Sequence, residues 1–427
     1  MVALDDVKRP ERPKLREIMG PGLITGASDD DPSGIATYSQ VGAQFGFGLG
    51  WALVVTFPLM AAIQEISARI GRVTGLGIAG NLRKYYPAWL LDVMVALLIL
   101  ANVINIGADL GAMGAALKLL IGGPSLLYVV GFAVVSVLLE VFVRYSRYVS
   151  VLKYLTLSLL AYVATVFVVG TPWLQVLHDI VLPPLSFSKD YILAIAAVLG
   201  TTISPYLFFW QAEEEVEDGQ EKPQKQPLRD APRQAKGELF RIRIDTVIGM
   251  ALSNIVALFI VVTCAATLHA HGVTDIDTSA QAAEALRPIA GPFAFVLFAA
   301  GIIGTGLLAM PVLAGSAAYA LGEAMGWQVG LAKKARRAPA FYGAIALAGV
   351  IGAVMNFSPI DPIKALFWSA VINGVVAVPV MTIMMLMTHR RDVMGEFVLS
   401  WPLRTLGWLA TAAMAATAIA LGVTSFL

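Results

Sequence analysis

Eleven apolar runs, most of them roughly twenty residues long and parted by short charged or Pro/Gly-rich breaks, limit this chain more than any other feature. Runs of that length cross a bilayer as helices, because hydrocarbon leaves no partner for unpaired backbone groups. The expected spans are 18–45, 50–71, 90–120, 127–146, 149–171, 190–217, 243–270, 288–322, 340–356, 363–388 and 401–426. Hydrophobic residues make up 58% of the sequence and charged residues 14%, against about 25% charged in soluble domains. The expected fold class is therefore an all-α polytopic membrane protein with about 11 transmembrane helices. A net charge of +1 gives no reason to expect a nucleic-acid partner, and no obligate protein partner is evident. The partners expected are membrane lipid and a small solute. Cys264 is the single cysteine, so an internal disulfide and a cysteine-based metal site are both excluded.

The N-terminal residues 1–17 are charged throughout and read as a cytoplasmic tail, not a signal peptide. With that end inside, all of the 30 Lys and Arg except Lys118, Lys189, Arg287 and Lys364 fall on the cytoplasmic side. The positive-inside rule favours this orientation and leaves the C-terminus outside. The hydrophilic stretch 217–238 reads as a solvated cytoplasmic loop between spans six and seven.

Two spans interrupt themselves at mid-depth, span one at "DPSG" (31–34) and span six at "TTISPY" (201–206). Corresponding interruptions in two halves of a transporter point to its substrate site. Spans one and six stand five apart, which suggests repeats at 18–171 and 190–388. An odd repeat length inverts the second copy, and span eleven (401–426) is then an appendage. Freed carbonyls and a carboxylate make an oxygen-only cation site. Its residues are expected to be Asp31, Ser204 and the backbone around Thr201 and Thr202. No basic residue stands at mid-depth to neutralise Asp31, which leaves an external cation as its natural partner.

Other polar residues could line the same path. Asn102, Asn105 and Asp109 form one stripe of span three, and Gln211, Glu215 and Asp218 another on span six. Ordinary interhelical hydrogen bonding is the competing reading for the two asparagines, and Glu65 can pair with Arg69. Asp29 and Asp30 stand about 200° and 100° round a helix from Asp31. The three cannot all ligate one ion, so at least one is expected to hold water around a hydrated cation or to set the local field. All four histidines lie at span ends or in loops. With neither a nucleophile–base pair nor a His-rich site inside the membrane, the sequence does not read as an enzyme and needs no cofactor.

The stretch "GPGLITGASDDDPSGIATYSQVGAQFGFGLGW" (20–51) resembles the first helix of the Nramp divalent-metal transporters, whose motif there is Asp-Pro-Gly-Asn. "GTTISPYLFFWQ" (200–211) resembles their sixth-helix Met-Pro-His motif. The resemblance implies a LeuT-type 5+5 inverted repeat with broken helices 1 and 6, and alternating access to a central metal. It also implies a bacterial inner-membrane location. The departures carry the finer reading. Gly34 stands where the family has a coordinating Asn, and Ser204 where it has a thioether. Tyr206 and Gln211 replace two histidines of the proton-linked machinery. Asp109 keeps an acidic position, while Ile106 loses one. Ala370, on a span that also carries Asn373, replaces a Gln of the metal shell. These changes resemble the Nramp-related magnesium transporters. They imply a wide hydrated site for Mg²⁺, with Mn²⁺ also carried as substrate and little or no proton coupling. The competing readings are a proton-coupled Mn²⁺/Fe²⁺ carrier and a carrier of an organic solute on the same scaffold.

Overall fold

The computed structural model describes residues 20–143, 157–222 and 225–426. The expected tail 1–17, and the parts of spans four and five that fall on 144–156, lie outside them. Among the described residues the fold is helical, with no strand.

Span one is two helices, α1 (Pro21–Asp29) and α2 (Pro32–Phe45). Spans two and three are α3 (Gly50–Thr74) and α5 (Ala88–Ile121), with the short α4 (Ile78–Tyr85) between them. Span four is α6 (Ser125–Phe142). Span five ends in α7 (Leu160–Val168), after which the chain turns by 109° into α8 (Trp173–Val181). Span six is α9 (Lys189–Thr202) with α10 (Pro205–Glu221). The remaining spans are α11 (Ala235–Thr267), α12 (Ala294–Met325), α13 (Pro339–Met355), α14 (Pro362–His389) and α15 (Trp401–Phe426).

Eight of these are long and apolar enough to cross a membrane, and the bent α7–α8 pair makes a ninth. The other two expected spans are the broken first one and the 17-residue α13. Helix α8 occupies what the sequence suggested was a loop. Its Leu174, Leu177 and Val181 are exposed, which suits a helix lying along a bilayer surface.

Proline alone does not set the breaks. Pro58, Pro311 and Pro379 all sit inside continuous helices. Span one breaks because Asp31 caps α2, its side chain accepting from the Gly34 N–H, and Pro32 takes the first helical position, the two residue types favoured there. The break is thus confined to Asp30–Asp31. Pro32, Ser33 and Gly34, expected to be unwound, form the first turn of α2. At the second break the Ser204 hydroxyl turns back onto the carbonyls of Gly200 and Thr201, at 2.8 and 3.1 Å, and closes the end of α9.

The loop after α10 is largely exposed, as expected, but it is anchored at one point. Leu228 is buried, and the Leu228 and Arg229 N–H groups donate to the Arg72 and Val73 carbonyls at 3.1 and 3.2 Å. These bonds dock the loop on the end of α3, and α11 begins by Ala235.

The bundle centre holds α1 and α2 against α11, and α5 against α12 and α14. Helix α11 grips α1 through three residues spaced four apart. The Asp245 carboxylate accepts from the N–H groups of Gly20, Gly22 and Leu23 at 2.9, 2.7 and 3.2 Å. Gly249 meets the Gly22 carbonyl, and Ser253 reaches Asp29 and Asp30. Small residues at such a crossing let two backbones approach closely.

Candidate functional site

Asp31 lies at the middle of this bundle, 1% exposed, and both its carboxylate oxygens are engaged. Oδ1 accepts from the Ser33 hydroxyl at 2.6 Å and the Gly34 N–H at 2.8 Å. Oδ2 accepts from the Tyr206 hydroxyl at 3.1 Å and the Asn105 amide at 3.2 Å. The first two donors come from its own helix. The other two come from the far side of the second break and from α5.

The network continues outward. Asn105 also donates to Asp109 Oδ2 at 3.2 Å, and its carbonyl oxygen accepts from Asn373 of α14 at 3.1 Å. Three spans therefore meet at one carboxylate, and a fourth joins through Asn105. Asp109 Oδ1 and Asn373 Oδ1 are buried and accept no hydrogen bond, an arrangement that normally carries a cost. Across the second break, no backbone donor reaches the carbonyls of Thr202 and Ile203. Among the described residues the second break thus leaves two carbonyls without a backbone donor.

Several expected residues lie elsewhere. Asn102 donates to the Leu313 carbonyl and the Ser316 hydroxyl, both at 2.8 Å, which is the interhelical bonding weighed as its alternative. Gln211 donates to Thr246 at 2.9 Å, and Glu215 pairs with Arg241. The Thr202 hydroxyl bonds back to the Val198 and Leu199 carbonyls at 2.9 and 3.3 Å. Asp29 and Asp30 turn from Asp31 toward α11, where one hydroxyl, that of Ser253, serves both at 2.5 and 3.1 Å. Asp29 Oδ1 is left without a donor. Glu65 pairs with Arg69 at 2.5 Å.

The expectation that Gly34 widens the site does not match the packing beside it. A methyl on Gly34 would stand 3.3 Å from both the Thr201 hydroxyl and the Tyr38 ring. Close-packed interiors refill the volume that a missing side chain vacates. Among the described residues, no three His, Cys, Asp or Glu side chains gather to hold a metal. The arrangement at Asp31 offers one charge and neutral oxygens, so an ion there would keep part of its water.

Sequence reasoning missed Asp245 and Ser253, which hold the two ends of α1. Their spacing with Gly249, in "DTVIGMALS" (245–253), was the available signal.

Residues 22–424 match the family described as "Natural resistance-associated macrophage protein-like", Nramp. The divalent metal cation transporter MntH of Yersinia pestis (strain Pestoides F) is 28% identical over 313 residues, 71% of this chain and 72% of that one. MntH of Pectobacterium carotovorum subsp. carotovorum (strain PC1) is 27% identical over 312 residues, 71% of each chain. The crystal structure of an Eremococcus coleocola manganese transporter, in complex with an aromatic bis-isothiourea substituted compound, superposes with a TM-score of 0.75 at 17% identity. It covers 99% of this chain and 91% of that one. Mhp1, a nucleobase-cation-symport-1 family transporter in a closed conformation, superposes at 0.58 with 15% identity, over 95% of this chain and 93% of its own. These likenesses show a LeuT-type fold.

Proposed function

The chain belongs to the Nramp family, and on that premise we propose that it carries divalent metal cations across a membrane, Mg²⁺ foremost and Mn²⁺ also, as a member of the magnesium-transporting branch. The observation that carries this reading is the donor set around Asp31. It comprises a carboxylate, the hydroxyls of Ser33 and Tyr206, the Asn105 amide and a backbone N–H, with neither sulfur nor imidazole. A thioether or imidazole would favour softer transition metals, whereas an oxygen site that leaves water in place suits Mg²⁺. The curated relatives named above are divalent metal cation transporters, which agrees with the substrate class.

In this reading an arriving cation takes Asp31 Oδ2 from Asn105 and Tyr206, and the carbonyls of Thr202 and Ile203 complete its contacts. Thr201 and Gly34 form the wall beside it, and Ser204 sets how far the end of α9 opens. Asp109, Asn105 and Asn373 line the approach. Asp29 and Asp30 add field without touching the ion. The two repeats, 18–171 and 190–388, rock against each other to expose the site to either side. Exposed Val and Leu on α6 and α15 face lipid. The N-terminus is cytoplasmic and the C-terminus outside, in a bacterial inner membrane, and the chain is a carrier, not an enzyme.

The test is flux into liposomes with simultaneous recording of internal pH. Mg²⁺ should enter while internal pH stays constant. If Mg²⁺ neither enters nor competes with Mn²⁺, the magnesium reading is lost. One observation favours a second reading, proton-coupled Mn²⁺/Fe²⁺ transport: Asp109 Oδ1 is buried without a donor and could accept a proton. Acidification that accompanies Mn²⁺ entry would select that alternative.

Ser204→Met should raise Mn²⁺ or Cd²⁺ uptake relative to Mg²⁺ by about tenfold, since a thioether at the second break adds the soft ligand now absent. Competition assays read the ratio, and unchanged selectivity would mean that Ser204 does not face the ion.

A further inference from the structure

The acidic run "EEEVED" (213–218) on α10 divides by helix face, and only one side is neutralised. Glu215 pairs with Arg241, and Asp218 with Lys222 and Lys225. Glu213, on the other side, faces Glu323 at the end of α12, with Glu217 one turn further along. Among the described residues none of these three makes an ion pair. Together they line a cavity of about 460 Å³.

Glu323 accepts from the N–H groups of Gly77 and Gly80 at 2.8 and 2.6 Å, and so holds the start of α4. Glu217 accepts from the Tyr319 hydroxyl at 2.5 Å and the Leu331 N–H at 2.8 Å. Glu213 is 2% exposed, yet its Oε1 accepts nothing. A methyl on Gly77 would stand 1.8 Å from that oxygen and 2.6 Å from Glu323 Oε2, so the two carboxylates face each other. Their side chains share a hydrogen bond, which requires a proton on one of them, and a divalent cation can take that proton's place between two facing carboxylates. The cavity's basic residues do not take it: Arg83 donates to the Glu323 backbone carbonyl at 3.2 Å, and Lys333 pairs with none of the three.

We propose that Glu213 and Glu323 form a second divalent-cation site, with Glu217 adding field, distinct from the centre at Asp31. A hard cation takes the two carboxylates and keeps water in the rest of the cavity. Glu213 follows Tyr206 by seven residues on α10, which puts it on the same face about 10 Å further along. Trp210 lies between them, buried against Gly315. An ion released past Trp210 reaches Glu213 next, so the second site holds cargo at the mouth of the path. That transport role rests on the function proposed above; the binding site does not.

The test is titration of the purified full chain with Mn²⁺ alone, with free ion read by electron paramagnetic resonance. Asp31→Asn should remove one class of bound Mn²⁺ and leave a second. Glu213→Gln should weaken that second class by about tenfold or more, because carboxylate count sets affinity for hard cations. Glu217→Gln, whose side chain is not at the facing oxygens, should weaken it by about threefold, and it decides the matter if Glu213→Gln does not fold. Unchanged Mn²⁺ binding in folded variants overturns the proposal, as does loss of both classes in Asp31→Asn. If the Glu213-dependent class survives in a protein that moves no metal, the transport reading fails and this site stands. If metal moves and Glu213→Gln binds like the parent, the reverse holds.

Discussion

Asp31→Ala should reduce Mg²⁺ uptake into liposomes to the level of protein-free vesicles. Three spans address this carboxylate together, through Ser33, Gly34, Asn105 and Tyr206. Its removal takes the charge from the proposed path and leaves donors from three helices without an acceptor. The same change removes the cap of α2, which by itself costs about 1–2 kcal/mol. Asp31→Asn separates the two effects. Its amide oxygen can still accept from Gly34, so stability should fall by less, while the charge that holds the ion is gone. Both variants should be inactive, and Asn should melt closer to the parent than Ala. Near-normal uptake in either one would remove Asp31 from the metal's route.

What could be read in advance follows a physical division. The spans were legible because a bilayer forces long apolar helices, and the breaks because an acid or hydroxyl before proline is a helix-start signal. Partners were not legible. Asp31 meets Asn105 and Tyr206 across 74 and 175 positions, and Asn105 meets Asn373 across 268. Nothing local in the chain specifies such pairings. The stripe in α11 shows the same limit, since spacing marks a face but not the helix it faces.

Packing limits what a missing side chain opens. At Gly34 the vacated space is closed by Thr201 and Tyr38. Selection of Mg²⁺ there must rest on ligand chemistry and retained water more than on width at Gly34. The acidic run on α10 makes the complementary point. Its acids divide into a neutralised face and an uncompensated one, because α11 brings Arg241 to one side and α12 brings Glu323 to the other.

Gly249→Ala should be among the more damaging single methyls in the molecule. In most helices the change is favourable by up to about 1 kcal/mol. Here the new carbon would sit 2.2 Å from the Gly22 carbonyl oxygen and 3.0 Å from the Leu23 Cα. Both neighbours are backbone, so no side chain can turn aside. Relief requires α1 and α11 to part by roughly 1 Å. That movement would stretch the bonds from Gly20, Gly22 and Leu23 to Asp245 beyond hydrogen-bonding range. The expected loss is about 3 kcal/mol or more, seen as a fall of roughly 5 °C in Tm. Uptake should fall with it, because α1 ends at the Asp30–Asp31 break and sets the place of Asp31. Gly343→Ala in α13, where nothing lies within 4 Å of the added carbon, should leave Tm unchanged or raised. Equal melting of the two variants would show that the α1–α11 approach is not what holds the first half of the broken span.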